Sequence, residues 1–147
     1  MRIAGSVVGD LFWYPMIRFD YRLRSRGWAV AVVGDENAQV SVPASYLCDA
    51  LRDFVDAVQS VFTTEGAECI WEEEPGRFRW KLRRAGIRCA VEVFRNNEDQ
   101  AIFSGDDDLL HFSSEVENAL QKLLDEWAKS DISNNGDTHF RKKHTAS

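Results

Sequence analysis

Two acidic triplets, Glu72–Glu74 and Asp106–Asp108, are the densest groups of side chains that could hold a metal ion or transfer protons. Successive residues of a strand point to opposite faces of a sheet, so three consecutive glutamates cannot direct their carboxylates at one ion. The aspartates lack the spaced, glycine-containing loop of a calcium-binding hand. Both triplets are therefore interpreted as solvated charge, with the aspartates in a loop, and no metal-ligating residue is assigned.

The histidines and cysteines show no catalytic or metal-binding spacing. No histidine lies in an HExxH or CxxC context, and an odd number of widely separated cysteines does not suit a disulfide framework. The cysteines fall at positions with a core pattern, which predicts reduced, buried thiols and not an activated nucleophile. No catalytic or cofactor-binding residue is assigned, and we expect a protein that is not an enzyme. The residues considered are His111, His139, His144, Cys48, Cys69 and Cys89.

The stretch from Glu74 to Phe94 carries the strongest structural pattern of the chain. After the turn signal Pro75-Gly76, apolar and basic residues alternate. The alternation is interrupted at Ala85-Gly86 and then resumes. This pattern predicts an antiparallel β-hairpin with one buried face and one basic face. The aromatic residues are expected on the buried face. The basic residues assigned to the exposed face are Arg77, Arg79, Lys81, Arg83 and Arg88.

This basic face allows two interpretations. It could bind an acidic partner, or its cations could pair with carboxylates across the strands, as opposite charges do on many sheets. Because the aromatic side chains are expected on the other face, nucleic acid would find no stacking platform beside the charge. We therefore expect the partner of such a face to be a protein and not a nucleic acid.

Apolar residues spaced three and four apart between Leu47 and Phe62 predict an amphipathic helix of about five turns. Pro43 suits its first turn, and Gly66 suits its C-terminal end. The polar side of this helix is acidic, which makes it a second candidate surface, suited to a basic partner. The acidic residues of this surface are Asp49, Asp53 and Asp56.

Shorter patterns complete the chain. A second helix is expected to begin at Ser113 or Ser114, because Ser114-Glu115-Val116-Glu117 has the form of a capping box. Alternating residues bounded by turn signals predict the remaining strands. These strands are expected at residues 16–23, 28–33, 38–42, 67–73 and 101–104.

The order of these elements predicts an α+β protein built as a two-layer sandwich. One antiparallel sheet of about six strands would be covered on one face by two helices, in the order β-β-β-α-β-β-β-α. The 147 residues suit one domain, which we place at residues 1–130, followed by a polar tail at 131–147. The helix residues expected to pack on the hairpin are Leu51, Phe54, Val58, Leu120, Leu123 and Trp127.

Composition argues against several classes of protein. The net charge of −6 disfavours a general nucleic-acid binder, and no apolar run approaches the roughly 20 residues that span a bilayer. The N-terminal residues lack the apolar region of a secretion signal, and the cysteine pattern suits a reducing compartment. These observations predict a cytoplasmic protein without a membrane partner.

Four short segments resemble a loose group of small, uncharacterised bacterial proteins. They are Ser45-Tyr46-Leu47, Asp49-Ala50-Leu51, Glu74-Pro75-Gly76 and Phe78-Arg79-Trp80. In size, acidity and α+β layout, the chain is also similar to immunity proteins of bacterial polymorphic-toxin systems. This resemblance implies a stable scaffold whose charged surface is complementary to a toxin, and it supplies no catalytic residue.

Three functions are consistent with these patterns. The leading hypothesis is a non-enzymatic protein-interaction module of the immunity type, which neutralises a bacterial toxin. The second is an accessory or regulatory binding protein, as a monomer or homodimer, without a toxin partner. The third is a small hydrolase or ligand-binding enzyme whose site, such as two carboxylates far apart in the chain, leaves no motif.

Overall fold

The computed structural model describes residues 16–24, 27–45, 47–73 and 75–135. These residues form strands and helices in the order β-β-β-α-β-β-β-β-α, which confirms the α+β class. The strands are β1 (Arg18–Leu23), β2 (Ala29–Gly34), β3 (Gln39–Ala44), β4 (Gly66–Glu72), β5 (Arg77–Ala85), β6 (Arg88–Arg95) and β7 (Phe103–Asp108). The helices are α1 (Leu47–Val61) and α2 (Leu109–Asn135).

The strands form two antiparallel sheets, where the sequence analysis expected one. Strands β1 to β3 form a three-stranded sheet, and β4 to β7 form a four-stranded sheet. The sheets meet at Ser45, whose N–H and hydroxyl both donate to the carbonyl oxygen of Glu72 at 3.0 Å. Pro43 lies opposite Val30 at a position of β3 that faces away from β2. Because proline offers no N–H to a further strand, the first sheet ends there and does not continue into β4.

The predicted hairpin is present as β5 and β6. Trp80 lies opposite Val93, and Leu82 lies opposite Val91. Gly86 in the turn has a φ of 63°, a left-handed conformation that glycine adopts without strain. Ile87, beside the turn, continues the apolar alternation but is 73% exposed. The six hairpin residues predicted to face the helices are at most 1% exposed, which confirms the register of the hairpin. They are Phe78, Trp80, Leu82, Cys89, Val91 and Val93.

Phe54 of α1 lies in a core that both sheets and both helices share. Its ring stacks on Phe19 of β1, with the ring centroids 4.9 Å apart. It also packs edge-on against Trp80 of β5 at 4.7 Å and against Phe112 of α2 at 6.4 Å. Aromatic packing through one helix side chain therefore joins elements that are far apart in the sequence.

Helix α2 begins at Leu109, before the predicted serine start. The carboxylate of Asp108 accepts the N–H groups of Leu110 at 2.9 Å and His111 at 3.2 Å, as a residue that caps a helix N-terminus does. Strand β7 therefore passes directly into the helix without a loop. At its other end α2 continues past residue 130 to Asn135, so the first residues of the expected tail are helical.

The aspartate triplet lies in β7 and not in a loop as predicted. Asp106 points outward, and its carboxylate lies 2.8 Å from the guanidinium of Arg88. Asp107 points inward and is only 2% exposed. Alternation along a strand thus gives consecutive aspartates different surroundings, and the prediction of solvated charge is wrong for Asp107.

The free edge of β1 is covered by carboxylates from the far end of the chain. The main-chain N–H of Ile17 donates to Oδ2 of Asp107 at 2.9 Å, and that of Phe19 donates to Oε1 of Glu115 at 3.2 Å. Glu115 thus binds the strand edge. The predicted capping box does not form, because Ser114 lies inside α2 and not at its N-terminus. Helix α2 packs mainly against β1, whereas the sequence analysis placed it on the hairpin. In the described part of the chain, neither helix is long and apolar enough to cross a membrane.

Candidate interaction surfaces

The outer face of the four-stranded sheet carries the basic residues that the sequence analysis singled out. Carboxylates from neighbouring strands lie among them: Lys81 Nζ is 3.8 Å from Glu68, and Arg83 is 3.4 Å from Glu92. This is the cross-strand pairing that was the alternative to a binding face. That the face binds a partner stays a prediction. The five basic residues on it are Arg77, Arg79, Lys81, Arg83 and Arg88.

Phe94 also lies on this outer face, although the hairpin aromatics were predicted to be inside. The guanidinium of Arg79 lies over its ring, 4.7 Å from the centroid, and Lys81 Nζ lies 5.9 Å away. The ring is 8% exposed, so it offers no open stacking surface to a base. Arg79 also donates to the carbonyl oxygens of Asn96 at 3.1 Å and Glu98 at 3.0 Å. Arg79 therefore holds the turn after β6 in place.

A second charged surface lies between the acidic side of α1 and strand β4. Here the protein forms an open groove of about 580 Å³, which we call the acidic groove. Helix residues spaced three and four apart share one side of α1, which brings them to the same wall of the groove. Strand β4 supplies the opposite wall. The groove is lined by Asp53, Asp56, Ala57, Ser60 and residues 66–70.

Two of the three carboxylates that line the acidic groove form no ion pair within the described part of the chain. Within the described part of the chain, Asp53 and Asp56 have no cationic group within ion-pair distance. Glu68 is the third carboxylate that lines the groove. It lies 3.8 Å from Nζ of Lys81, which belongs to the outer face. The sequence pattern placed Asp53 and Asp56 correctly on one side of the helix. The side chain of Asp49, the third residue predicted for this surface, lies outside the described ones.

An apolar groove of about 360 Å³ lies between α1, α2 and the end of β1. Trp127 was predicted to pack on the hairpin, but it lines this groove and is 47% exposed. Leu124 beside it is 52% exposed. The difference follows from the position of α2, which lies along β1. The other lining residues are Tyr21, Leu23, Leu51, Arg52, Val55, Leu120 and Leu123.

Asp107 and His111 form a pair that the sequence analysis missed. Oδ2 of Asp107 lies 2.6 Å from Nδ1 of His111. The same carboxylate accepts the main-chain N–H groups of Ile17 and Asp108. A spacing of four residues across a strand-to-helix junction was the only local signal for this pair. Its hydrogen bonds fix the start of α2 and the edge of β1, which is a structural role.

Two of the cysteines are buried, free thiols. Burial, with a further contribution from the negative charge of Asp53, raises the pKa of Cys69 to about 12. Burial raises the pKa of Cys89 to about 11. Thiols with such pKa values are protonated at neutral pH and are poor nucleophiles. The side chain of Cys48 lies outside the described ones.

Among the described side chains, no three histidine, cysteine, aspartate or glutamate residues gather into a group able to hold a metal ion. His139 and His144 lie outside the described residues. The similarity to immunity proteins remains a hypothesis, because it rests on size, charge and layout alone. Comparison of the chain with protein-family models, with curated proteins and with solved structures found no match.

Proposed function

We propose that the protein is a non-enzymatic binding protein of the immunity type, which neutralises a bacterial toxin by holding a basic part of the toxin in the acidic groove. The observation that carries this proposal is the contrast between the two charged surfaces. Lys81 and Arg83 on the outer face have carboxylates nearby. Asp53 and Asp56 have no cationic group within ion-pair distance in the described part of the chain. Charge that the protein does not neutralise internally is available to attract a partner.

The distribution of charge supports rapid capture of a basic partner. A cleft lined by one sign of charge concentrates the electrostatic field and steers an oppositely charged molecule towards it. The net charge of −6 acts in the same direction over longer distances. Fast association matters for neutralisation, because a toxin remains active until it is bound.

The buried thiols are compatible with the expected location. Cys69 and Cys89 are free, and a protein with free buried cysteines suits a reducing compartment such as the cytoplasm. The proposal therefore places the protein in the cytoplasm together with the toxin that it neutralises.

The test is a capture experiment followed by kinetics. The protein is immobilised, partners are captured from a lysate of the source cells, and the identified partner is produced alone to test its toxicity. We expect Asp53→Lys/Asp56→Lys to slow association about tenfold or more and to reduce its salt dependence. The control variant Lys81→Glu/Arg83→Glu reverses the same number of charges on the outer face. It should change the association rate by less than about twofold.

Two outcomes would contradict the proposal. If the aspartate variant associates as fast as the wild type while the control variant binds poorly, the outer face is the binding surface. If the captured partner is harmless when produced alone, the protein is an accessory or regulatory binding protein instead. Both variants should first show wild-type unfolding midpoints, because all four substituted side chains lie at the surface or are half-buried.

A further inference from the structure

The edges of the two sheets are protected to different degrees. The edge of β1 is covered by Asp107 and Glu115, and the edge of β3 carries Pro43. Strand β4 is one of the two outer strands of the four-stranded sheet, and it pairs only with β5 among the described residues. An unpaired strand edge can bind another extended chain through its main-chain groups. The availability of those groups on β4 therefore decides what the acidic groove can bind.

The hydrogen bonds at both ends of β4 show which residues face outward. Arg84 N–H donates to the carbonyl of Glu65 at 2.7 Å, and Glu73 N–H donates to the carbonyl of Gly76 at 2.8 Å. In an antiparallel pair, hydrogen-bonded positions alternate along each strand. The odd-numbered residues of β4 therefore bond to β5. The even-numbered residues, from Gly66 to Glu72, direct their N–H and C=O groups to the free edge.

Two of these four outward-facing residues accept hydrogen bonds from elsewhere in the protein, and the other two do not within the described part of the chain. The carbonyl of Glu72 accepts two hydrogen bonds from Ser45, and the carbonyl of Gly66 accepts one from the hydroxyl of Thr64. On the same edge, the N–H and C=O groups of Glu68 and Ile70 have no hydrogen-bond partner in the described part of the chain. They present two donors and two acceptors, with the residues about 7 Å apart along the strand.

These unoccupied main-chain groups lie within the acidic groove. Glu68 and Ile70 both line it, and both side chains are exposed. Asp53 and Asp56 stand on the opposite wall. An extended segment placed in the groove would therefore meet a strand edge on one side and two carboxylates on the other. Alternate side chains of a strand point to opposite faces, so every second residue of such a segment would approach the carboxylates.

We propose that the groove binds an extended, basic segment of a partner protein, which adds to β4 as a further strand of the four-stranded sheet. Main-chain hydrogen bonds to Glu68 and Ile70 fix the position of the segment, and its lysine or arginine side chains pair with Asp53 and Asp56. This inference rests on the proposed function and specifies how the partner is recognised. Pairing of two β4 edges in a homodimer is disfavoured, because it brings two acidic grooves together.

The first test removes one main-chain donor from the edge. Ile70→Pro deletes an N–H that is not used in the ladder to β5, and proline is tolerated at such edge positions. Ile70→Ala is the matched control, because it shortens the same exposed side chain but keeps the N–H. The probes are two eight-residue peptides that alternate valine with lysine or with glutamate. Binding is measured by calorimetry or fluorescence anisotropy at low salt.

We expect the lysine peptide to bind the full chain and the glutamate peptide not to bind. Ile70→Pro should weaken binding about tenfold or more, whereas Ile70→Ala should change it less than about threefold. In the wild-type protein, the lysine peptide should slow amide hydrogen exchange at Glu68 and Ile70. This measurement needs no variant, so it tests the proposal even if the proline variant does not fold.

Strand addition is wrong if the lysine peptide binds without slowing exchange at Glu68 and Ile70, or if Ile70→Pro binds it as tightly as the alanine control. It is also wrong if these amides are already protected in the free chain and lose protection when Arg141, Lys142 and Lys143 are replaced by glutamate. That result would make the chain's own basic segment the occupant. The captured partner separates this inference from the proposed function. If Asp53→Lys/Asp56→Lys no longer binds the partner but Ile70→Pro still binds it, the proposed function stands and only the strand addition is rejected.

Discussion

The main-chain N–H of Ile17 donates to the carboxylate of Asp107 across 90 positions of the sequence, at 2.9 Å. This bond joins the segment that leads into β1 to the strand that precedes α2. The same carboxylate binds Nδ1 of His111 and the N–H of Asp108. One buried aspartate thus connects the edge of one sheet, the last strand of the other and the first turn of a helix.

Replacement of Asp107 should therefore be costly. In Asp107→Ala, the N–H groups of Ile17 and Asp108 lose their acceptor, and we expect the free energy of unfolding to fall by about 2–4 kcal/mol. Asp106→Ala is the control, because the Asp106–Arg88 pair is solvent-exposed and should contribute less than about 1 kcal/mol. Urea titrations of both variants give the comparison. Equal losses for the two variants would mean that the bond to Ile17 contributes little.

Trp80 should tolerate loss of its indole nitrogen better than loss of its ring. The side chain is fully buried, and Nε1 has no hydrogen-bond partner in the described part of the structure. We expect Trp80→Ala to cost about 3–5 kcal/mol, because it leaves a large cavity among the core aromatics. Trp80→Phe should cost clearly less, because its ring fills much of the cavity that alanine leaves, while both variants remove the unsatisfied N–H group. Guanidinium unfolding of the two variants should show this order. A loss in Trp80→Phe as large as that in Trp80→Ala would contradict it and would indicate that Nε1 has a hydrogen-bond partner.

Arg79 and Arg83 should differ in their contribution to stability, although both lie on the outer face. Arg79 packs on Phe94 and donates to the carbonyl oxygens of Asn96 and Glu98. Arg83 has Glu92 at 3.4 Å on an exposed surface. We expect Arg79→Ala to lower the free energy of unfolding by about 1–2 kcal/mol and Arg83→Ala by less than about 0.5 kcal/mol. Thermal unfolding followed by circular dichroism measures the difference, and equal midpoints would contradict the anchoring role of Arg79.

The buried thiols should react slowly with alkylating reagents in the folded protein. Because the pKa values of Cys69 and Cys89 are raised to about 12 and about 11, almost no thiolate forms at pH 8. The experiment uses a Cys48→Ser background, so that Cys69 and Cys89 are the only thiols that the reagent can alkylate. We expect no modification by iodoacetamide until denaturant is added, as followed by mass spectrometry. Rapid modification of either cysteine in the native protein would revive the hypothesis of a nucleophile.

The same pKa values predict a loss of stability in alkaline solution. In the unfolded chain the thiols ionise near pH 8.5, whereas in the folded protein they stay protonated up to about pH 11. Their contribution to stability is therefore complete below pH 8 and declines as the pH rises. Between pH 8 and pH 10 we expect a loss of about 1–2 kcal/mol per cysteine. A Cys69→Ala/Cys89→Ala variant should lose less over this range, and parallel pH profiles would contradict the effect.

The sequence predicts those parts of the fold whose pattern repeats locally. The alternation around Trp80 and Val91 identified the central hairpin and its buried face. The spacing of three and four residues in α1 placed Phe54 in the core and Asp53 with Asp56 on the polar side. Period-two and period-3.6 patterns carry this information, because a single buried face imposes them on each element.

The missed features depend on contacts between distant residues. Asp107 is buried because Ile17 and His111 surround its carboxylate, and nothing in the triplet itself distinguishes it from Asp106. Alternation from Val91 and Val93 places Phe94 on the outer face, but its contact with Arg79 depends on the register between β5 and β6. The division into two sheets depends on which strand edges meet. Local alternation gives each strand but not its neighbours.

The unpaired edge of β4 could not be found from the sequence either. Glu68 and Ile70 alternate like the outer residues of any exposed strand. Only the pairing of β4 with a single neighbour shows that their main-chain groups are unoccupied. The acidic half of the candidate site was therefore predictable from helix periodicity, whereas the strand half required the topology of the sheet.

The closure of β1 by Asp107 and Glu115 has a consequence for synthesis on the ribosome. The N-terminal strands emerge first, but the carboxylates that cover the edge of β1 belong to the last third of the described chain. Until those residues leave the exit tunnel, the nascent protein displays an open strand edge that can pair with other chains. Translation that stalls before Asp107 should therefore yield fragments that aggregate or require a chaperone, even though they already contain the central hairpin.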